Sequence, residues 1–313
     1  MIVLTCVLSS LFSNGQPIDS NPPVQPTLFA EINSEHSERD MAISPSGTEM
    51  FYTQQGNQHT YSVILRRTLK NGKWSTPGVA PFSGRYGDLE PAFSADGEKL
   101  FFSSNRPLTS TTNNVKDYDI WYVEKLNGKW SEPKHAGSMV NTPADEYYPS
   151  VAANGNLYFT AAYEKGVGRE DIYVCRWEKG NFTESVALDT AVNSKTWEFN
   201  AFVSPDEQYI IFTSYGRKDD MGGGDLYICR KDANNKFMPA QHLAILNSSK
   251  IDYCPYVSVD QKRLFFTSGR HGIPKIFPAT MSFNDLQALD RSQLNGLENI
   301  YTISFQKVID SLE

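Results

Sequence analysis

A five-fold internal repeat dominates this sequence and limits the folds that the chain can adopt. Each copy carries a short apolar run, a polar turn related to Ser-x-Asp-Gly and a second apolar run, as in Asp88–Arg106. Asp caps its own backbone in such a turn and Gly accepts positive φ, so each copy predicts a β-hairpin. Successive turns lie 50, 58, 52 and 54 residues apart. This period is typical of a β-propeller, whose blades bury their faces against their neighbours.

Each copy also contains a third strand and most contain an outer strand. The third strands are predicted at Tyr61–Arg66, Asp119–Val123, Asp171–Cys175, Asp225–Cys229 and Asn299–Ile303. Asn-Gly pairs at 71–72 and 127–128 suit the tight turn that leads to the outer strand. The sequence therefore predicts an all-β fold, a propeller of four-stranded blades with five blades, and six blades as the alternative.

The fifth copy lacks an outer strand after Ile303, where Phe305–Leu312 suits a short helix instead. Leu28–Asn33 matches the tail of the outer strands in the other copies. We therefore expect an N-terminal strand to complete the last blade, which closes the ring and removes an exposed edge. The propeller is predicted over 28–304, followed by a short helix or tail over 305–313.

The N-terminus predicts export. Ile2–Phe12 is apolar, is too short to span a bilayer and precedes a possible cleavage site at 13–15. We predict a signal peptide over 1–15, a Pro-rich linker over 16–27 and a periplasmic or extracellular destination. The first basic residue is Arg39, so either the signal is atypical or the start codon lies further upstream. Cys6 lies inside the apolar run, which argues against a lipoprotein anchor. No other segment reaches membrane length.

Composition excludes some classes of partner. The chain has 29 Lys and Arg against 36 Asp and Glu, a net charge of −7, and no basic stripe. Nucleic-acid binding is therefore not expected. With 40% hydrophobic residues the chain can bury a large core.

Recognisable catalytic and metal-binding motifs are missing from the sequence. There is no GxSxG, HExxH, P-loop or Cys pair with zinc spacing, so we expect no cofactor and no metal and assign no catalytic residue. Cys175 and Cys229 occupy the same position of two copies and are interpreted as buried thiols, with a disulfide or reactive thiol as the alternative. Apart from His36, the histidines show no relation to the repeat.

One column of the repeat is acidic in every copy, six residues before the turn serine or its equivalent: Glu38, Asp88, Glu146, Glu198 and Asp252. Five residues before each acid stands a small polar residue: Asn33, Ser83, Asn141, Asn193 and Asn247. The functional interpretation is a ring of carboxylates at one mouth of the channel that binds a cation, a sugar or a basic peptide. The structural interpretation is that each acid caps backbone N–H groups of its own crossover loop.

Other residues near this column are candidate ligand contacts. Arg106, Arg217 and Arg270 follow the second strand in three copies, where they pair with the acids or contact a ligand. Tyr147, Tyr148 and Trp197 flank the acids, and aromatic faces at a channel mouth suit sugar rings. Ordinary packing between blades is the alternative for the aromatic residues.

The repeated pattern E/D-x-x-P-x-[FV]-S-x-D-G-x-x-[LI]-x-F-x-S…[DN]-I-Y resembles the WD40-like β-propeller repeat of the TolB family over almost the whole of 28–304. TolB itself has six blades and an extra N-terminal domain. The family includes periplasmic scaffold proteins, propeller domains of peptidases and sugar-acting lyases, so the resemblance specifies the fold better than the function.

From these features we expect an exported, monomeric, non-enzymatic binding or scaffold module that engages a protein or a glycan at the channel face. The alternative is a carbohydrate-active enzyme, a glycoside hydrolase or lyase, with its site in an acidic funnel lined by Glu146, Glu198 and Asp252.

Overall fold

The computed structural model describes residues 21–109 and 115–312. The predicted signal peptide and Cys6 lie outside the described residues. The described strands form a ring of five antiparallel blades, as the repeat predicted, and each blade runs from an inner strand on the channel to an outer strand at the rim.

The elements follow in chain order. Strand β1 (Thr27–Leu28) precedes the first blade, which contains β2 (Ser37–Ile43), β3 (Glu49–Gln55), β4 (Ser62–Lys70), β5 (Lys73–Trp74) and β6 (Gly78–Val79). The second blade contains β7 (Asp88–Phe93), β8 (Lys99–Ser104), β9 (Asp119–Leu126), β10 (Lys129–Trp130) and β11 (Lys134–His135). The third contains β12 (Glu146–Val151), β13 (Leu157–Ala161), β14 (Asp171–Cys175) and β17 (Val186–Ala187), with a separate hairpin of β15 (Trp177–Glu178) and β16 (Asn181–Phe182).

The fourth blade contains β18 (Trp197–Val203), β19 (Tyr209–Tyr215), β20 (Asp225–Arg230) and β21 (Gln241–His242). The fifth contains β22 (Asp252–Val257), β23 (Arg263–Ser268) and β24 (Asn299–Ser304). Helix α1 (Phe283–Asp290) lies in the insertion between β23 and β24, and α2 (Phe305–Asp310) follows β24. Neither helix is long and apolar enough to cross a membrane.

The N-terminal strand closes the ring, as predicted. Thr27 pairs with Thr302 and Leu28 with Tyr301, so β1 is the outer strand of the fifth blade. The strand is shorter than Leu28–Asn33, because the chain turns after Leu28 into the crossover to the first blade.

The hydrophobic core lies between the blades. Ile172 of the third blade, for example, packs in one buried cluster with Phe212 and Tyr227 of the fourth. Cys175 and Cys229 are buried at equivalent positions, where their thiols donate to the carbonyls of Met139 (3.3 Å) and Ala191 (3.2 Å). Burial raises the pKa of both thiols to about 12, so both remain protonated and unreactive near neutral pH.

Two histidines follow the repeat, contrary to the expectation from sequence. His135 and His242 occupy equivalent positions of their outer strands, opposite Trp121 and Tyr227. Each ring bonds an Asp that begins the third strand and an Asn of the following crossover. The equivalence was hidden because the outer strands are only two residues long and the other blades have no His there.

The small polar residue before each acid clamps an outer crossover onto a third strand. In four blades the Asn Oδ1 accepts from a strand amide and its Nδ2 donates to the carbonyl of the same residue, and Ser83 accepts from the Ile64 amide in the remaining blade. Asn33 reaches Ile300 in this way, so the clamp also holds the closure.

We expect Asn193→Ala to lower the free energy of unfolding by about 2 kcal/mol, because it leaves buried groups of Ile172 without partners. Urea denaturation measures the change, with Asn181→Ala at an exposed position of β16 as the control. Equal effects of the two substitutions would contradict the assigned role of the clamp.

Candidate functional site

All five repeated acids are 0–1% exposed and lie at the start of the inner strands, next to their own crossover loops. Each accepts hydrogen bonds from loop or neighbouring strand groups, as Glu198 does from the amide and hydroxyl of Ser194, both at 2.7 Å. They do not line the cavity at the channel mouth. These contacts favour the structural interpretation of the acidic column.

The three candidate arginines share one set of partners. Each guanidinium binds the acid of its own blade, a serine at the end of the second strand and a crossover carbonyl: Arg106 with Asp88, Ser104 and Phe82, Arg217 with Glu198, Ser214 and Val192, and Arg270 with Asp252, Ser268 and Leu246. A pattern that recurs in three blades belongs to blade architecture.

Glu38 and Glu146 belong to the two blades that lack this arginine. Burial raises the pKa of each to about 7, against the lowering effect of hydrogen bonds from Ser34 to Glu38 and from Tyr163 and Thr142 to Glu146. Tyr163 donates its hydroxyl to Glu146 at 2.5 Å, in place of a cation. These two loops therefore hold carboxyl groups that are protonated over part of the neutral range.

A different column points into the channel. Two residues after each acid the inner strand carries a β-bulge whose residue has positive φ: Asp40 (52°), Glu90 (62°), Tyr148 (52°), Asn200 (50°) and Cys254 (53°). None is glycine, so each position is strained, and such strain concentrates at functional positions. Residue type varies from blade to blade here, unlike in the acidic column.

The bulges also hold the blades together. The Asp40, Glu90 and Asn200 amides donate to a threonine hydroxyl on the second strand of the preceding blade. In the third blade the Tyr148 amide donates instead to the Glu90 carboxylate, at 2.7 Å. The side chain of Glu90 thus takes over a bond that threonine accepts in three other blades.

Arg39 and Glu90 form the centre of a charged floor across the channel. Arg39 Nη2 lies 3.0 Å from Glu90 Oε1 and its Nε lies 2.8 Å from Asp40 Oδ1. Glu90 also accepts from Ser103 at 3.0 Å and from Asn200 Nδ2 at 3.3 Å. Two carboxylates therefore surround the single Arg39 cation, and burial raises the pKa of Glu90 to about 7.

This floor separates two cavities. On the side of the crossover loops lies a polar cavity of about 410 Å³, called here the mouth, which Arg39 and Glu90 line from below. On the side of the hairpin turns lies a more apolar cavity of about 210 Å³, bordered by Phe93, Phe202 and Tyr256. The mouth falls within the range of about 300–1,000 Å³ that small-molecule sites occupy.

The walls of the mouth carry unpaired polar groups. Tyr118 and Tyr147 pack ring against ring with centroids 5.1 Å apart. Within the part of the chain that the structure describes, neither phenolic hydroxyl nor the Glu170 carboxyl has a hydrogen-bond partner. Burial, helped by the negative charges of Asp145 and Asp171, raises the pKa of Glu170 to about 7.

The structure divides the predicted aromatic contacts. Tyr147 lines the mouth. Tyr148 lines the opposite cavity and donates its hydroxyl to the Pro255 carbonyl at 2.9 Å. Trp197 packs on Tyr215 at 5.2 Å and beneath the Arg169 guanidinium at 4.5 Å, while its backbone bridges to Glu170 of the mouth.

Sequence reasoning missed Arg39, Glu90, Tyr118 and Glu170. For Glu90 the available signal was the column two residues after the acids, where the residue type changes in every copy, whereas Arg39, Tyr118 and Glu170 lie outside that column. Among the described residues no group of three or more His, Cys, Asp or Glu is arranged to hold a metal ion.

No protein-family model matches the chain, and no curated protein matches its sequence. Solved structures similar to it include a putative TolB from Agrobacterium tumefaciens, 14% identical over 86% of this chain and 90% of that one, with a TM-score of 0.49. A protein in a solved RGII complex is 10% identical over 93% and 92%, with a TM-score of 0.52. The catalytic domain of a Coprinopsis cinerea GH62 α-L-arabinofuranosidase is 9% identical over 91% and 95%, with a TM-score of 0.49. At these identities the likeness is one of fold, and the strand topology confirms the predicted five-bladed β-propeller.

Glu198 and Glu146 offer a matched test of the structural interpretation. Glu198→Gln leaves the largely buried Arg217 without its counterion, so we expect a loss of about 3 kcal/mol in the free energy of unfolding. Glu146 has no such cation, and a neutral glutamine still accepts from Thr142 and Tyr163. We therefore expect Glu146→Gln to be nearly neutral at pH 5.

The same pair predicts a dependence on pH. Because the folded-state pKa of Glu146 is raised to about 7, its stabilising contribution is complete below its unfolded-state pKa and is lost as pH rises through 7. Glu146→Gln should therefore gain stability relative to wild type between pH 5 and pH 8, as measured by urea denaturation. Equal losses for both substitutions at both pH values would contradict the assignment.

Proposed function

We propose that the protein is an exported, non-enzymatic binding module that captures a glycan in the mouth. The observation that carries the proposal is the contrast between the floor and the walls of this cavity. The Arg39 and Glu90 charges of the floor are paired with each other. Tyr118, Tyr147 and Glu170 on the walls keep polar groups without partners among residues 21–109 and 115–312, and such groups are available to a ligand.

A sugar ring suits this arrangement. Its hydroxyl groups match a carboxyl and two phenolic hydroxyls, while its C–H faces pack well against aromatic rings. Burial raises the pKa of Tyr118 and Tyr147, so both phenols are neutral hydrogen-bond donors at physiological pH. Export to the periplasm or the cell exterior, predicted from Ile2–Phe12, and a monomeric state are parts of the same proposal.

Glycoside hydrolysis is the second candidate function, and Glu170 is the residue that favours it. A carboxyl with a pKa of about 7 holds a proton near neutral pH, as the general acid of a glycosidase requires. In that case Glu170→Gln would abolish turnover and preserve binding. The earlier candidates Glu146, Glu198 and Asp252 do not line the cavity, so the enzyme hypothesis moves to Glu170 with Glu90.

An immobilised panel of plant and bacterial oligosaccharides tests the binding proposal, with calorimetry on each sugar that binds. We expect Tyr147→Ala and Glu170→Gln each to weaken binding at least about tenfold, because each removes a direct ligand contact. Glu178→Gln, an exposed substitution of the same charge type in the third blade, is the control and should leave affinity unchanged.

Sugar binding that survives both substitutions in the mouth would refute the location of the site. A panel without any bound sugar, combined with capture of a protein that depends on Tyr147 and Glu170, would replace the glycan by a protein ligand. Release of reducing sugar from a bound oligosaccharide, lost in Glu170→Gln, would establish the hydrolase instead.

A further inference from the structure

A third cavity, also of about 410 Å³ and called here the groove, lies between the second and third blades. Aromatic residues from both blades border it, including Phe101, Tyr122, Trp177 and Phe182, and Lys99 contributes an ammonium group. The residues of the mouth take no part in it. The groove is therefore a separate concave site.

The corresponding junction between the first and second blades also has a cavity, of about 400 Å³, but polar groups such as Ser46, Asp96 and Lys125 line it. There Trp130 packs on Phe51 and Phe93 at centroid distances of 5.9 and 6.0 Å. Its Nε1 donates to Glu49 at 3.3 Å, and Lys125 of the second blade also pairs with that carboxylate. In the first junction the indole and the charge pair across the blades thus hold each other, and no aromatic residue of the described chain lines the cavity beside them.

Three replacements give the second junction its different lining. By strand register, Lys99 takes the position of Glu49, Trp177 that of Lys125 and Phe182 that of Trp130. The smaller ring leaves space, and the carboxylate becomes an ammonium group. Lys99 therefore faces the Trp177 ring of the third blade, whereas Glu49 in the first junction faces the Lys125 ammonium group.

The Lys99 ammonium is held between two rings, 5.1 Å from the centroid of Tyr122 and 5.7 Å from that of Trp177. Its nearest carboxylate oxygen, Glu124 Oε1, is 3.6 Å away, and the other oxygen of Glu124 binds Lys134. The ammonium therefore retains donor capacity toward the groove, since aromatic faces attract a cation but satisfy no acceptor.

The remaining polar groups of the groove are occupied. Asp96 accepts from the Ser94 hydroxyl at 2.6 Å and from the Glu98 amide at 3.0 Å. His135 bonds Asp119 at 3.0 Å. The Asp96 carboxylate stays ionised but is bonded within its own turn, so Lys99 is the cationic donor of the groove.

Trp177 is a fixed wall of the groove and stays 40% exposed. Its ring meets Phe182 edge to face at 4.8 Å, and its amide donates to Asn156 Oδ1 at 2.9 Å. The indole also covers Gly155, where an added Cβ would lie 3.0 Å from Trp177 Cγ. An anchored, partly exposed indole offers a rigid contact surface at little entropic cost.

We propose that the groove binds a ring-shaped ligand that carries a carboxylate, with Lys99 as the partner of the carboxylate and Trp177 and Tyr122 as contacts of the ring. Both an acidic sugar and an aromatic carboxylic acid have this chemistry. Charge-assisted hydrogen bonds give the carboxylate its selectivity, because a neutral ring of the same size lacks them.

Calorimetry on the whole protein tests the proposal with three probes: D-galacturonic acid, D-galactose and phenylacetate. We expect at least one of the two acids to bind and galactose to bind at least about tenfold more weakly than galacturonic acid or not at all. The acid that binds identifies the ligand source. Lys99→Gln should weaken that acid at least about tenfold, whereas Lys262→Gln, on an exposed turn of the fifth blade, should leave its affinity unchanged.

Three results would overturn the proposal. One is that neither acid binds below about 10 mM. The second is that Lys99→Gln leaves affinity unchanged while the variant remains folded by circular dichroism. The third is that binding falls with Glu170→Gln and not with Lys99→Gln, which would place the probe in the mouth. Glycan capture in the mouth is tested by other variants, so either proposal can fail without the other.

Discussion

A left-handed bulge in each inner strand joins the blades and at the same time shapes the channel. It turns Asp40, Glu90, Tyr148, Asn200 and Cys254 onto the channel and directs most of their amides at the preceding blade. A non-glycine residue at positive φ costs about 1–3 kcal/mol, so these positions persist only because bonds between blades offset the strain. The bulge therefore couples ring assembly to the chemistry of the channel.

The two neighbouring columns divide their tasks. The acids, such as Glu198 with Arg217, are buried at the start of the inner strands beside the crossover loops and repeat with little variation. The residue at the bulge changes from blade to blade. In the second blade it is Glu90, which pairs with Arg39 of the first blade. A ring of identical units makes a unique site only where the units differ. The candidate site therefore lies in the variable column and in the Tyr118, Tyr147 and Glu170 walls above it.

The repeat predicted the number of blades, the order of strands and closure by the N-terminal strand, because each depends on local turn chemistry and apolar patterning. The short outer strands hid the equivalence of His135 and His242. The site was harder to predict because the repeated acids, such as Glu146, were the conspicuous pattern in the sequence. Glu170 follows a loop, and it lies in one cavity with Tyr147 only because the closed propeller brings the two residues together. The role of Lys99 could likewise not be predicted from sequence, because it depends on contact with Trp177 of the next blade.

Ligand contact by the mouth, and not by the acidic column, can be observed at individual tyrosine rings. Tyrosine-selective ¹³C labelling supplies the signals, with resonances assigned by Tyr→Phe variants and the tightest-binding oligosaccharide of the panel as the probe. We expect the ring signals of Tyr118 and Tyr147 to shift on binding while that of Tyr163, bonded to Glu146, does not. A shift of Tyr163 with unchanged Tyr118 and Tyr147 would refute the mouth as the binding site and return the site to the acidic column.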